Sequence, residues 1–177
     1  MRSLRPLLFI SVIGCSSPAQ RFDGVEALTN LREQAAAIER AMIQEDHQLM
    51  ADLTHPSLIS QFGGREEYVK KLEATADDLR RQGLKFHAFG FGAPSAIFET
   101  AGQLYAIYPY TLLLTGPNRE PASQPSYLVC TSNDRGTTWK FLDGSGVGAD
   151  RSKQLRFLPD FPAELTLPEP GRLVVYQ

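Results

Sequence analysis

The sequence predicts one α+β domain, two N-terminal helices packed on an antiparallel sheet of four to five strands, and two changes of pattern carry that reading. From Asp23 to about Leu53, and again from Arg65 to Gln82, apolar residues recur three and four apart, which places them on one face of a helix. After Gly83 the period falls to two and β-branched and aromatic residues take over, the pattern of half-buried strands. A chain of 177 residues with 42% hydrophobic and 21% charged content has the size and balance of one ordinary globular domain. Its net charge of -2 supplies no basic footprint, so nucleic acid is not an expected partner.

The N-terminus reads as a targeting segment. Arg2 and Arg5 precede the apolar run Leu7 to Ile13, too short to span a bilayer, and Gly14 and Cys15 follow. Val12-Ile13-Gly14-Cys15 resembles the bacterial lipobox. That resemblance implies cleavage after Gly14, lipid on the Cys15 sulfur, and an exported protein anchored through that lipid to the cell envelope membrane, periplasmic or surface side. Ser16 after the lipidated position favours, by the same resemblance, outer-membrane or surface delivery in a host that has an outer membrane. An ordinary signal cut near Ala19, or an uncleaved anchor, would use the same apolar run. The expected organisation is a signal peptide over 1–14, a flexible tether over 15–22, the domain over 23–150 and a proline-rich extension packed on it over 151–177.

In the first helix Asp23 and Glu26 have capping-box spacing. His55-Pro56 stops that helix, Gly63-Gly64 turns the chain, and Gly83 closes the second helix. Strands are expected over Leu84–Gly92, Ser95–Glu99, Leu104–Thr115, Ser126–Ser132 and Thr137–Leu142, with Pro109 marking a bend or an edge. The tail, with Pro159, Pro162, Pro168 and Pro170, is expected to be extended, with a short final strand at Leu173–Tyr176.

Helix, helix, then four or five antiparallel strands is the order of the NTF2-like (cystatin-like) fold. The chain resembles it at Ala51-Asp52-Leu53-Thr54-His55-Pro56, at Gly63-Gly64-Arg65-Glu66-Glu67 and at Thr138-Trp139-Lys140-Phe141-Leu142-Asp143-Gly144. That resemblance implies a strongly bent sheet wrapped around the helices as a cone. It does not choose a function, because the superfamily holds isomerases, dehydratases, transport factors and non-catalytic members.

Ser132-Asn133-Asp134-Arg135-Gly136-Thr137-Thr138-Trp139 matches the Asp-box pattern of sialidase-like propellers. With one copy behind two helices, it is expected to be a hairpin device: Asp134 caps the turn, Gly136 takes positive φ and Trp139 packs inward. If Cys15 carries lipid, Cys130 is the lone thiol of the mature domain, and its apolar strand predicts burial. A Cys15–Cys130 disulfide would require the lipobox reading to be wrong. His47, His55 and His87 have no metal-ligand spacing, so neither metal nor cofactor is expected. His47 reads as a solvated residue and His55 as a cap. His87, alternating with Phe86 and Ala88, could face a pocket beside Tyr105, Tyr108 or Tyr110; His87, Tyr105 and Tyr108 are the catalytic candidates. Phe86, Phe89 and Tyr110 are the candidates for lining a ligand pocket, although strand aromatics more often form the core.

The expected function is a non-catalytic binding or accessory domain. The alternatives are a SnoaL-like isomerase or dehydratase using a pocket histidine, and a protein-docking or homodimerising module. An enzyme needs a polar group converging in an open cone, and a binder of a small apolar ligand needs an open apolar one. A docking module needs a filled cone and an exposed apolar patch.

Overall fold

The computed structural model describes residues 18–144, 151–169 and 171–176, and among these the fold is α+β. The segment expected to be a signal peptide, and Cys15, lie outside the described residues. Strand β1 (Gln20–Phe22) leads into α1 (Val25–Ile43), α2 (His47–Leu53), α3 (Pro56–Gln61) and α4 (Arg65–Arg81). Then come β2 (Lys85–Phe91), β3 (Ile97–Thr100), β4 (Gln103–Thr115), β5 (Pro121–Ser132) and β6 (Lys140–Asp143). Helix α5 (Arg151–Phe157) and β7 (Val174–Val175) complete the described elements. No described helix is long and apolar enough to cross a membrane.

The seven strands form one open antiparallel sheet whose spine is the long ladder of β4 on β5, from Leu104↔Ser132 to Thr115↔Pro121. Along the other edge of β4, β3 pairs at Gln103–Tyr105 and β2 at Tyr110–Thr115. Pro109 stands in the gap between these partners, where its missing N–H costs no ladder bond. Gly92 N–H donates to the Pro109 carbonyl at 2.9 Å, and Ser95 bridges the gap to Ile107 through its own N–H (2.8 Å) and its Oγ (2.9 Å). The edge expected at Pro109 is therefore local, inside a central strand.

Both faces of the spine are buried. Leu104, Ala106, Tyr108, Tyr110, Leu128 and Cys130 face α1, where Ala27, Leu31 and Ala35 close the first core. Tyr105, Ile107, Tyr127 and Val129 face the other way, against Leu158, Phe161 and Leu165 of the tail. Burial on two faces explains why β4 reads as a nearly continuous apolar run. The proline-rich tail is thus the second cover of the sheet.

The 133–139 turn is the seat of α1. Asp134 Oδ1 accepts from Thr138 N–H (2.9 Å) and Ser132 Oγ (2.8 Å), Gly136 N–H donates to Ser132 Oγ (2.8 Å), and Gly136 has φ +86. Slight burial pushes the Asp134 carboxyl up, but the hydrogen bonds from Thr138 and Ser132 outweigh it and hold the group below its ordinary range. Trp139 is buried and its Nε1–H donates to the Ala27 carbonyl at 3.1 Å, while Asn30 and Gln34 of α1 donate to the Gly136 and Thr137 carbonyls.

Several expectations are corrected. The helix expected over Asp23–Leu53 is two, because Glu45 turns the chain at φ +54 and Asp46 caps α2 by accepting from Leu49 N–H at 3.0 Å. Asp23 does not cap α1; Gly24 holds that position, and Asp23 pairs with Arg21 at 3.0 Å. Helix α3 was not expected: His55 Nδ1 accepts from Ser57 N–H at 3.2 Å and Pro56 opens the turn, so the cap that ends one helix starts another. Among the described residues four helices, not two, precede β2, and seven strands replace the four to five expected, partly because Gln20–Phe22, assigned to the tether, pair with Ile97–Glu99.

Candidate functional site

Helix α4 is amphipathic but scarcely packed. Val69 is its one buried residue, while Leu72, Ala76 and Leu79 on the apolar stripe are only half-buried. Polar ties hold it at both ends: Arg65 pairs with Asp52 at 2.8 Å and donates to the Gln48 carbonyl, and Arg80 pairs with Glu45 at 3.3 Å. These ties run to α2 and to the α1–α2 elbow. Between α4, the elbow and the sheet a cavity of about 550 Å³ remains, within the range of small-ligand sites.

Met42, Met50, Leu72 and Leu79 form the helical wall of this cavity. Phe86, Leu112 and Leu114 form its floor, placed side by side by the registers Phe86↔Leu114 and Phe89↔Leu112. Glu45, His47, Arg80 and Lys85 stand at its margin, and Leu173 of the tail borders it. The neighbouring stretch of the same face is filled by aromatic rings. Phe89 meets Tyr110 with centroids 4.5 Å apart, and Phe91 meets Tyr108 at 4.8 Å. The space begins where that packing ends and the small pair Thr75-Ala76 interrupts the large residues of α4.

A polar group lies further along this face. The buried Tyr110 hydroxyl donates to Asp143 Oδ2, and burial followed by the Asp143 charge drives its pKa far up. Burial, offset by a hydrogen bond to Thr54 and reinforced by Asp143, also raises Tyr68. On the opposite face of the sheet, Tyr127 is pushed up to about 12 by burial and then by Asp143. These phenols remain protonated at neutral pH.

The catalytic candidates are not brought together. His87 occupies a bulge between Phe86 and Ala88; this register shift leaves it exposed, with Nε2 on Thr115 Oγ1 instead of in a pocket. Tyr105 and Tyr108 stand three apart on one strand and so belong to opposite cores. None of the three lines the cavity. Of the pocket candidates, Phe86, Phe89 and Tyr110 are in one cluster, Phe86 against Phe89 at 5.2 Å, but only Phe86 lines the space. Sequence reasoning missed the α4 wall, whose signal was a stripe broken by small residues.

Cys130 is fully buried and burial raises its thiol pKa well above normal, which makes it inert. His55 is lowered by burial and then by the Lys140 ammonium, consistent with its capping role. Among the described residues no cluster of His, Cys, Asp and Glu could hold a metal ion. No protein-family model, curated protein or solved structure matches this chain.

Proposed function

We propose that this chain is a cell-envelope lipoprotein whose domain, built on an NTF2-like plan, is a non-catalytic binder of a small apolar ligand. The observation that carries the reading is the open, apolar cavity of about 550 Å³ between α4 and the sheet. A helix whose apolar stripe is left half-buried has a standing hydrophobic gain available to any apolar molecule that completes its packing. Helices ahead of an antiparallel sheet, packed on one of its faces, support the NTF2-like plan. The lipobox-like Val12 to Cys15 supports the anchor. Catalysis is left out because His87, Tyr105 and Tyr108 do not line the cavity.

The test is calorimetric titration with linear alcohols of increasing length. Affinity is expected to rise about fourfold per added methylene, the equivalent of ~0.8 kcal/mol each, and to level off when the cavity is full. Affinity independent of chain length, or no binding, would remove the reading.

A further inference from the structure

The charge at the margin of the cavity restricts what its ligand can be, given that the cavity is a ligand site. Wall and floor are apolar and offer a charge no partner, so a charged group on a ligand must sit at the mouth. Of the ionised groups there, Arg80 is held by Glu45 at 3.3 Å and by Asp77 at 2.9 Å, which neutralises both the cation and the one carboxylate on the margin. Lys85 differs. It is exposed at the first position of β2 and, among the described residues, makes no ion pair and no side-chain hydrogen bond. Its four-carbon stem can lie along the apolar lip beside Leu84 and Phe86 while the ammonium stays in water.

We propose that the cavity takes a single-chain anionic amphiphile, its alkyl tail between α4 and the sheet and its carboxylate or phosphate head at the Lys85 ammonium. The Lys85 ammonium repels a cationic head, which Glu45, already paired with Arg80, does not hold, and a neutral head leaves Lys85 without a partner. Carboxylate and phosphate share the required chemistry: one compact anion on one apolar chain.

The experiment titrates the purified protein, below micelle concentrations and at low salt, with dodecanol, dodecanoate, dodecyl phosphate and dodecyltrimethylammonium. The anions are expected to bind about fivefold tighter than dodecanol, the advantage of one partly exposed ion pair, and the cation weakest. The advantage should fade as salt is raised. Lys85→Gln is expected to bring the anions down to the affinity of dodecanol measured on the same variant, and Glu45→Gln, which loosens Arg80, to enlarge their advantage. The tighter of the two anions identifies the source of the head, a fatty acid or a phospholipid product, and either supports the proposal. Equal affinity for dodecanol and dodecanoate, or an anion preference that survives Lys85→Gln, overturns it while leaving the cavity a ligand site. Failure of every probe, dodecanol included, overturns the ligand site itself.

Discussion

Adding one methyl group at Gly136 tests whether α1 is seated on the 133–139 turn, the contact that fixes one wall of the domain. A Cβ there would lie 2.2 Å from the Ala27 Cβ and 2.8 Å from its Cα, so the first turn of α1 must move away. Gly136→Ala therefore has two costs: roughly 1–2 kcal/mol for placing alanine at positive φ, and roughly 1–3 kcal/mol for overpacking a helix backbone. Displacing α1 also weakens the Trp139 to Ala27 and Asn30 to Gly136 hydrogen bonds, each worth about 1 kcal/mol. The expected total is about 3–5 kcal/mol. Gly102→Ala is the control, since Gly102 has φ +78 but nothing within 4 Å of the added carbon, so only the conformational cost applies. Urea unfolding followed by far-ultraviolet circular dichroism and by emission of the single tryptophan, Trp139, measures both. With a slope of about 2 kcal/mol per molar urea, the midpoint should fall by about 2 M for Gly136→Ala and by under about 1 M for Gly102→Ala. Equal losses in the two variants would refute the packing argument.

Two further outcomes follow from the same structure. Tyr105, raised by burial and the Asp160 charge, and Tyr127, raised by burial and the Asp143 charge, both have folded pKa values of about 12 against an ordinary value of 10.0. Protons held more tightly by the folded state stabilise it fully below pH 10 and are lost above, so stability is expected to fall between about pH 10 and pH 12, as urea midpoints across that window will show. Ala76→Trp, on the half-buried stripe of α4, is expected to fill the cavity with a stability change within about 1 kcal/mol while abolishing alcohol binding by calorimetry.

Much of the fold is legible in the sequence because local rules and tertiary packing agree there. The helical period of Arg65–Gln82, the strand period after Gly83 and the Asp-box hairpin are each decided by residues close in sequence, and each forms. The elbow at Glu45 has little local signal, since nothing distinguishes a pause in the apolar stripe from a break until Asp46 finds the Leu49 N–H. Strand β1 was missed because Gln20–Phe22 gains its structure from Ile97–Glu99, far along the chain. His87 was misplaced for a related reason: alternation assigns its face only while the register holds, and the bulge sits on that residue. The cavity was least legible of all. A stripe with Leu72, Ala76 and Leu79 reads the same whether or not the sheet reaches it, and α4 is held instead by α2, α3 and the elbow, through Arg65–Asp52, Phe62–Tyr68 and Arg80–Glu45.

The standing-off of α4 can be measured by amide hydrogen exchange with and without dodecanol. In the free protein, amides of α4 are expected to exchange much faster than those of the β4–β5 ladder, since one buried residue anchors the helix while both faces of the ladder are covered. Saturating dodecanol should slow exchange in the second half of α4, at Met42–Ile43 and at Leu84–Phe86, and leave the β5–β6 hairpin unchanged. An α4 already as protected as the ladder, or one whose exchange is the same with ligand as without, would contradict the account.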